Sequence, residues 1–192
     1  MLKLILASSS TYRKQLLARL GVSFDCIAPD INEQILESET PEDYVLRLSR
    51  EKAAKVGENR QKSIVIGSDQ CAVCDQQIIG KPGSHDKAVQ QLHSLAGKQV
   101  SFITGVTVFN TESGEMNTWA DYYMIKFRSL QSSEIERYLE TDQPYNCAGS
   151  FKSEGLGIAL CESMHGDDPT ALIGLPLIKV AHQLRAYGLA IP

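Results

Sequence analysis

Ser8, Arg13, Lys52 and Lys81 are potential anion donors in this sequence, and Glu33 and Asp69 offer hard carboxylate oxygens. Those are the groups that hydrolysis of a polyphosphate requires. Cations neutralise the phosphates, a divalent metal polarises one of them, and a carboxylate activates water. Each residue also has an ordinary reading. In ASSSTYR (7–13) an apolar strand feeds a helix N-terminus through three serines, with Arg13 one turn in. A helix start supplies free N–H groups and partial positive charge, and arginine grips phosphate oxygens in pairs. The same residues equally describe a helix capped by Ser10, with Ser8 and Ser9 as turn residues.

Lys52 lies on the apolar stripe of a helix, spaced i, i+4, i+8 with Tyr44 and Leu48. A lysine there is either a core-facing cation or a side chain whose stem packs while its ammonium reaches water. Asp69 ends the apolar run IVIGSD, where a carboxylate at a strand's carboxyl end is placed for a ligand, a metal or a water proton. A turn or cap aspartate is the alternative. Lys81 precedes Pro82, which fixes its backbone as extended. Glu33 shares its polar loop with Glu37 and Glu39, so the choice among the three stays open.

Other chemistries find less support. The four histidines have no metal-ligating spacing, and no G-x-S-x-G elbow, P-loop or G-x-G-x-x-G occurs. Five cysteines give an odd count. Cys71 and Cys74 have the spacing of a metal knuckle, but within an apolar run that reads as buried strand. Net charge is −4, with 19 Lys+Arg against 23 Asp+Glu, which argues against nucleic acid or an anionic membrane as partner. The N-terminal apolar run stops at the serines, short of a signal peptide, and no run approaches the roughly 20 residues of a membrane span. A cytoplasmic protein acting on a small molecule is expected; a homodimer is left open.

The elements that must position these residues alternate. LKLILA is a strand, 10–20 a helix and SFDCIA a strand. A helix capped by Thr40 and Pro41 runs to about Val56, before the strand SIVIGSD. CAVCDQQIIG reads as a hairpin turning near Asp75, followed by a helix over 86–95. Two long strands, 99–110 and 116–128, meet at TESG. A helix over 132–140, the Gly-rich stretch 147–160 and a helix over 177–187 close the chain. The pattern predicts an α/β domain over 1–192, a mixed twisted sheet with flanking helices.

In order along the chain, LILASSS with Arg13, EKA at 51–53, IGSDQ at 66–70, GKP at 80–82 and AGSFKSEG at 148–155 resemble the Maf family of nucleotide pyrophosphatases. The resemblance covers nearly the whole chain. It implies two lobes around a cleft in a fold related to inosine triphosphate pyrophosphatase. It also implies hydrolysis of a nucleoside triphosphate to a monophosphate and pyrophosphate with a divalent cation, Mg²⁺ or Mn²⁺. Carried over by position, phosphate binding falls on Ser8, Arg13, Lys52 and Lys81, the metal on Glu33 and Asp69, and the proton acceptor on Asp69.

Three further positions separate the family's branches by base: Tyr12, Gln70 and Glu154. An aromatic, Gln and Glu there resemble the branch acting on 7-methyl-GTP. The chemistry fits, since a 7-methylguanine ring carries positive charge and an aromatic face adds about 0.5–2 kcal/mol of cation–π attraction. Its N1–H and N2–H₂ donors suit the Glu154 carboxylate, whereas a pyrimidine edge turns acceptors toward it. Related sequences often carry Trp where this one has Tyr12, a larger π face. The other expectations are a dTTP/UTP pyrophosphatase of the same family, or a nucleotide-binding regulator of cell division without turnover.

Overall fold

Leu4, Ile5, Leu6 and Ala7 are all buried, because β1 (Lys3–Ala7) is covered on both faces. Such a strand reads as a continuous apolar run, as the LILA stretch does. In the computed structural model, which describes residues 2–192, β1 pairs in parallel with β2 (Asp25–Cys26) and with β3 (Ser63–Cys74). Leu4 lies opposite Ile64, and Ala7 opposite Gly67. Seven strands form one mixed sheet in the order β2-β1-β3-β5-β6-β7, with β4 (Gln77–Ile79) antiparallel to β3. Here β5 is Gln99–Asn110, β6 is Met116–Phe127 and β7 is Cys161–Gly166.

The chain divides into two compact units. The first takes the residues up to Gln70, with Thr104–Asp121 and Asp168–Pro192; the second takes Cys71–Ile103 and Tyr122–Asp167. Both are built from interleaved segments, so neither is a contiguous stretch of sequence.

The first unit's helices are α1 (Thr11–Ala18), α2 (Pro41–Gly57), α5 (Pro169–Ile173) and α6 (Leu177–Ala186). Alternation sorts its core into two sets. Leu4, Leu6, Ile64, Ile66, Val106 and Val108 pack with α1 and α6 through Leu17, Val180 and Leu184. Ile5, Ala7 and Val65 pack with Ala53 and Val56 of α2. Thr40 caps α2 as the sequence predicts, its Oγ1 accepting from the Asp43 N–H at 3.1 Å.

In the second unit α3 (His85–Leu95) and α4 (Ser132–Asp142) accompany β7, which pairs antiparallel with β6 from Tyr123–Gly166 to Phe127–Cys161. Phe151 packs against Phe102 and Phe127, with ring centroids 5.8 and 5.6 Å away. The start of α4 is tied electrostatically. Arg128 donates from Nη1 and Nη2 to Glu134 at 3.1 and 2.8 Å, and the Gln131 backbone N–H donates to the same carboxylate at 2.9 Å. Arg128 foremost, then that backbone bond, holds the Glu134 carboxyl down at about 2, against 4.5 ordinarily. A depressed carboxyl pKa contributes stability above the unfolded value and loses it as pH falls through the folded one. Glu134→Gln is therefore expected to melt at a lower temperature than the wild type at pH 7. The deficit should shrink as pH is lowered from 4.5 toward about 2. A deficit that stays constant over that range would contradict this account.

Three elements depart from the sequence reading. The strand that 63–69 was expected to form continues without interruption to Cys74, so Asp69 lies inside β3 rather than at its end. Its partner β1 stops at Ala7, opposite Gly67, so Asp69 still stands just beyond the parallel pairing. Neither α5 nor β7 is anticipated. Cys71 and Cys74 are both buried in β3, and a separation of three along a strand puts them on opposite faces, which does not suit joint metal ligation.

Candidate active site

Alternation along β3 decides what meets α2. Val65 faces that helix, so Gly67 and Asp69 face it too, while Ser68 and Gln70 face the other way. At Gly67 the strand and helix backbones come together: a Cβ there would lie 2.2 Å from the Ser49 carbonyl oxygen and 2.7 Å from the Ala53 nitrogen. Two residues on, Lys52 Nζ donates to Asp69 Oδ1 at 2.6 Å.

Lys52 Nζ also lies 2.7 Å from Glu33 Oε1. The lysine is 5% exposed and the aspartate 8%, so this ammonium does not snorkel to water. Buried charges persist when paired, and here one cation holds two carboxylates. Of the three loop glutamates, Glu33 is the one on Lys52. Glu39 accepts instead from Arg47 Nε and Nη2 at 2.6 and 2.8 Å, a contact that pushes the Glu39 carboxyl below its usual range. Glu37 is exposed.

Arg13 comes to the same region from the first turn of α1. Its Nε donates to the Gly174 carbonyl at 2.9 Å, and its terminal NH₂ groups make no hydrogen bond among the described residues. Burial pushes its pKa down, and the charges of Asp69 and Glu33 pull it back up. Ser8 is buried, and its Oγ accepts from the Ser10 N–H at 3.1 Å, leaving the hydroxyl proton as a donor. Ser10 caps α1 by accepting from the Arg13 N–H at 3.4 Å. The serine stretch is thus a capped helix start in which the Ser8 hydroxyl still has a proton to give.

Tyr12 is half-buried on α1. Gln70 is committed at its nitrogen: Nε2 lies 2.9 Å from Thr104 Oγ1, and 2.8 and 3.0 Å from the carbonyls of Ala171 and Leu172. Those contacts identify which end of the amide is nitrogen and leave Oε1 as an acceptor.

Lys81 and Glu154 belong to the second unit, and both are exposed. Their loops are pinned. The Gly80 carbonyl accepts from the Gly149 N–H at 3.3 Å and from Gln91 Nε2 at 3.1 Å, and the Gly83 N–H donates to the Tyr145 carbonyl at 3.0 Å. Around Glu154, Tyr138 Oη accepts from the Lys152 N–H at 2.9 Å, and Asp142 accepts from the Leu156 N–H at 2.6 Å. Glu154 itself accepts from Ser153 Oγ at 2.9 Å.

Glu33 and Asp69 supply two hard oxygen donor groups. Mg²⁺ is commonly held by one or two carboxylates together with substrate phosphates and water. No group of three or more His, Cys, Asp or Glu side chains that could hold a metal occurs among the described residues. The donor set therefore fits a hard cation that arrives with phosphate oxygens, and does not fit an all-protein cage.

Ser68 and Gly174 are functional-site neighbours that the sequence reading passed over. Ser68 Oγ donates to the Gly174 carbonyl at 2.9 Å, the same oxygen that receives Arg13. The signals were Asp168-Pro169 as cap and first helical residue, and Gly174 as a C-cap.

A β-α-β unit that gathers a guanidinium, an ammonium and two carboxylates beyond the parallel strand ends defines a mixed α/β protein with a polar, charged site. The chain belongs to the Maf family, whose model, described as Maf-like protein, matches residues 3–187. It is 51% identical over 185 residues to the 7-methyl-GTP pyrophosphatase of Nitrosococcus oceani, covering 96% of this chain and 93% of that one. The Pseudomonas putida protein of the same name is 45% identical with both chains fully covered. A solved HAM1 protein from Coxiella burnetii shares the fold at TM-score 0.54, with 14% identity, over 97% of this chain and 100% of that one.

Proposed function

We propose that this chain hydrolyses 7-methyl-GTP to 7-methyl-GMP and pyrophosphate, removing a modified nucleotide in the cytoplasm. Water adds across the anhydride between the α- and β-phosphates; its oxygen joins one fragment, and one proton passes to Asp69. The observation that carries the reading is the buried Lys52 ammonium between Asp69 and Glu33, at 2.6 and 2.7 Å. It holds the Asp69 carboxylate oriented, as a proton acceptor must be. Arg13 brings two terminal NH₂ groups, unbonded among the described residues, for phosphate oxygens, and Ser8 a hydroxyl proton. Lys81 adds a further cation for the phosphates. Glu33 and Asp69 would hold a divalent cation, Mg²⁺ or Mn²⁺, which supplies charge neutralisation and polarisation of a phosphoryl oxygen when bound.

Base choice is assigned to Tyr12, Gln70 and Glu154. Gln70, its nitrogen already occupied, offers an acceptor, and so does the Glu154 carboxylate. The carboxylate suits the N1–H and N2–H₂ edge of 7-methylguanine and opposes the carbonyls of uracil or thymine. Relatives named 7-methyl-GTP pyrophosphatase at 44–51% identity support the same assignment.

The test is a panel of 7-methyl-GTP, GTP, dTTP and UTP, with Mg²⁺, Mn²⁺ or chelator, scored for pyrophosphate on the wild type and Glu154→Gln. The wild type is expected to prefer 7-methyl-GTP. The variant should lose about tenfold or more of that preference, the scale of one charge-assisted hydrogen bond. A pyrimidine preference in the wild type would make this a dTTP/UTP enzyme, and binding without turnover would make it a nucleotide-binding regulator.

A further inference from the structure

Arginine can present phosphate with either of two paired edges, Nε with one terminal nitrogen or the two terminal nitrogens together. In this chain the choice is made by a main-chain oxygen. Arg13 Nε donates to the Gly174 carbonyl at 2.9 Å, so only the Nη1/Nη2 edge remains to take a ligand. The same carbonyl accepts from Ser68 Oγ at 2.9 Å, which fills its second lone pair and fixes its direction.

Gly174 is itself held from behind. Its N–H donates to the carbonyls of Ala171 and Thr170 at 2.9 and 3.2 Å, closing α5. The Ala171 carbonyl is gripped in turn by Thr104 Oγ1 at 2.9 Å and Gln70 Nε2 at 2.8 Å. At the other end, buried Asp168 accepts from the Thr170 N–H at 2.8 Å and the Ile178 N–H at 2.7 Å, joining α5 to α6. A five-residue helix with almost no stability of its own is thereby made into a fixed shelf. Its terminal glycine has φ +117°, and a Cβ there would stand 3.3 Å from Arg13 Nε. The backbone conformation requires glycine, and an added methyl would press on the Arg13 side chain.

We propose that Gly174 is a positioning residue for phosphate binding: its carbonyl, steadied by Ser68, locks Arg13 so that the Nη1/Nη2 edge meets the substrate's phosphates. This rests on the proposed role of Arg13 as a phosphate ligand. Gln70 and Thr104 serve the same end through α5.

The test is a double-mutant cycle of Gly174→Ala and Arg13→Lys, read as kcat/KM for 7-methyl-GTP and as calorimetric affinity for inorganic tripolyphosphate. Lysine keeps the charge but has no Nε–H and no planar fork. Gly174→Ala is expected to cost about tenfold or more in the wild-type background, mostly in KM, and less than about twofold once Arg13 is lysine. An undiminished loss in the lysine background would overturn the proposal, since a merely structural residue acts whatever stands at position 13. If Gly174→Ala gives no cooperative melt, Ser68→Ala replaces it. Its expected loss of about threefold should likewise vanish beside Arg13→Lys, and equal losses in both backgrounds would overturn the proposal. A wild type that turns over no nucleotide refutes the pyrophosphatase reading alone, because the tripolyphosphate cycle still decides the role of Gly174.

Discussion

Asp69→Asn is expected to slow pyrophosphate release by about 10²–10⁴-fold, the usual contribution of a positioned general base, while leaving the melting temperature nearly unchanged. Asparagine has the shape of aspartate without its basicity. Lys52 would keep Glu33 at 2.7 Å as its counter-charge, so the substitution does not strand a buried ammonium. That separates this position from Lys52, whose loss would leave Asp69, 8% exposed, without its 2.6 Å partner. Stopped assays of pyrophosphate, run beside melting curves of both proteins, supply the decisive comparison. Turnover within a few-fold of wild type would remove Asp69 from its assigned role.

The sequence is most informative where local chemistry acts alone. Thr40 before Pro41 and Ser10 before the first helix both cap as their residue types require, because capping is settled within three residues. Lys52 stands out as a cation on an apolar stripe, but that stripe does not say whether its ammonium is solvated; two carboxylates from other segments decide it. The choice among Glu33, Glu37 and Glu39 turns on Arg47, which takes Glu39. That pairing depends on how the polar loop folds back on α2, and no spacing rule contains it. Asp69 inside a long strand is harder to foresee, because the break at Gly67-Ser68-Asp69 resembles a strand end. β7, reading CESMHG, has no apolar alternation, and its strand character comes from β6 beside it. Gly67 lies within β3, and its close approach to the α2 backbone is set by packing that no sequence spacing contains.

That close approach underlies the largest expected effect on stability. In Gly67→Ala the new methyl would lie 2.2 Å from the Ser49 carbonyl oxygen and 2.7 Å from the Ala53 nitrogen. Both are backbone atoms, so no rotamer change relieves the overlap and α2 must move from β3. Overpacking of this kind costs about 3 kcal/mol, the upper end of its range, and lowers the melting temperature by roughly 6–12 °C for a chain of this size. Gly105 makes a matching notch under the same helix, its Cβ position 2.3 Å from the Val45 carbonyl oxygen, so Gly105→Ala should destabilise similarly. The two differ in what they displace. Ser49 and Ala53 bracket Lys52, whereas Val45 lies about two turns away. At a temperature where both variants are fully folded, Gly67→Ala should lose at least about tenfold more kcat/KM than Gly105→Ala, since a misplacement of about 1 Å can cost 10²-fold. Equal activity losses at equal stability would mean that the seat of α2 is structural, and that Lys52 tolerates displacement from Asp69.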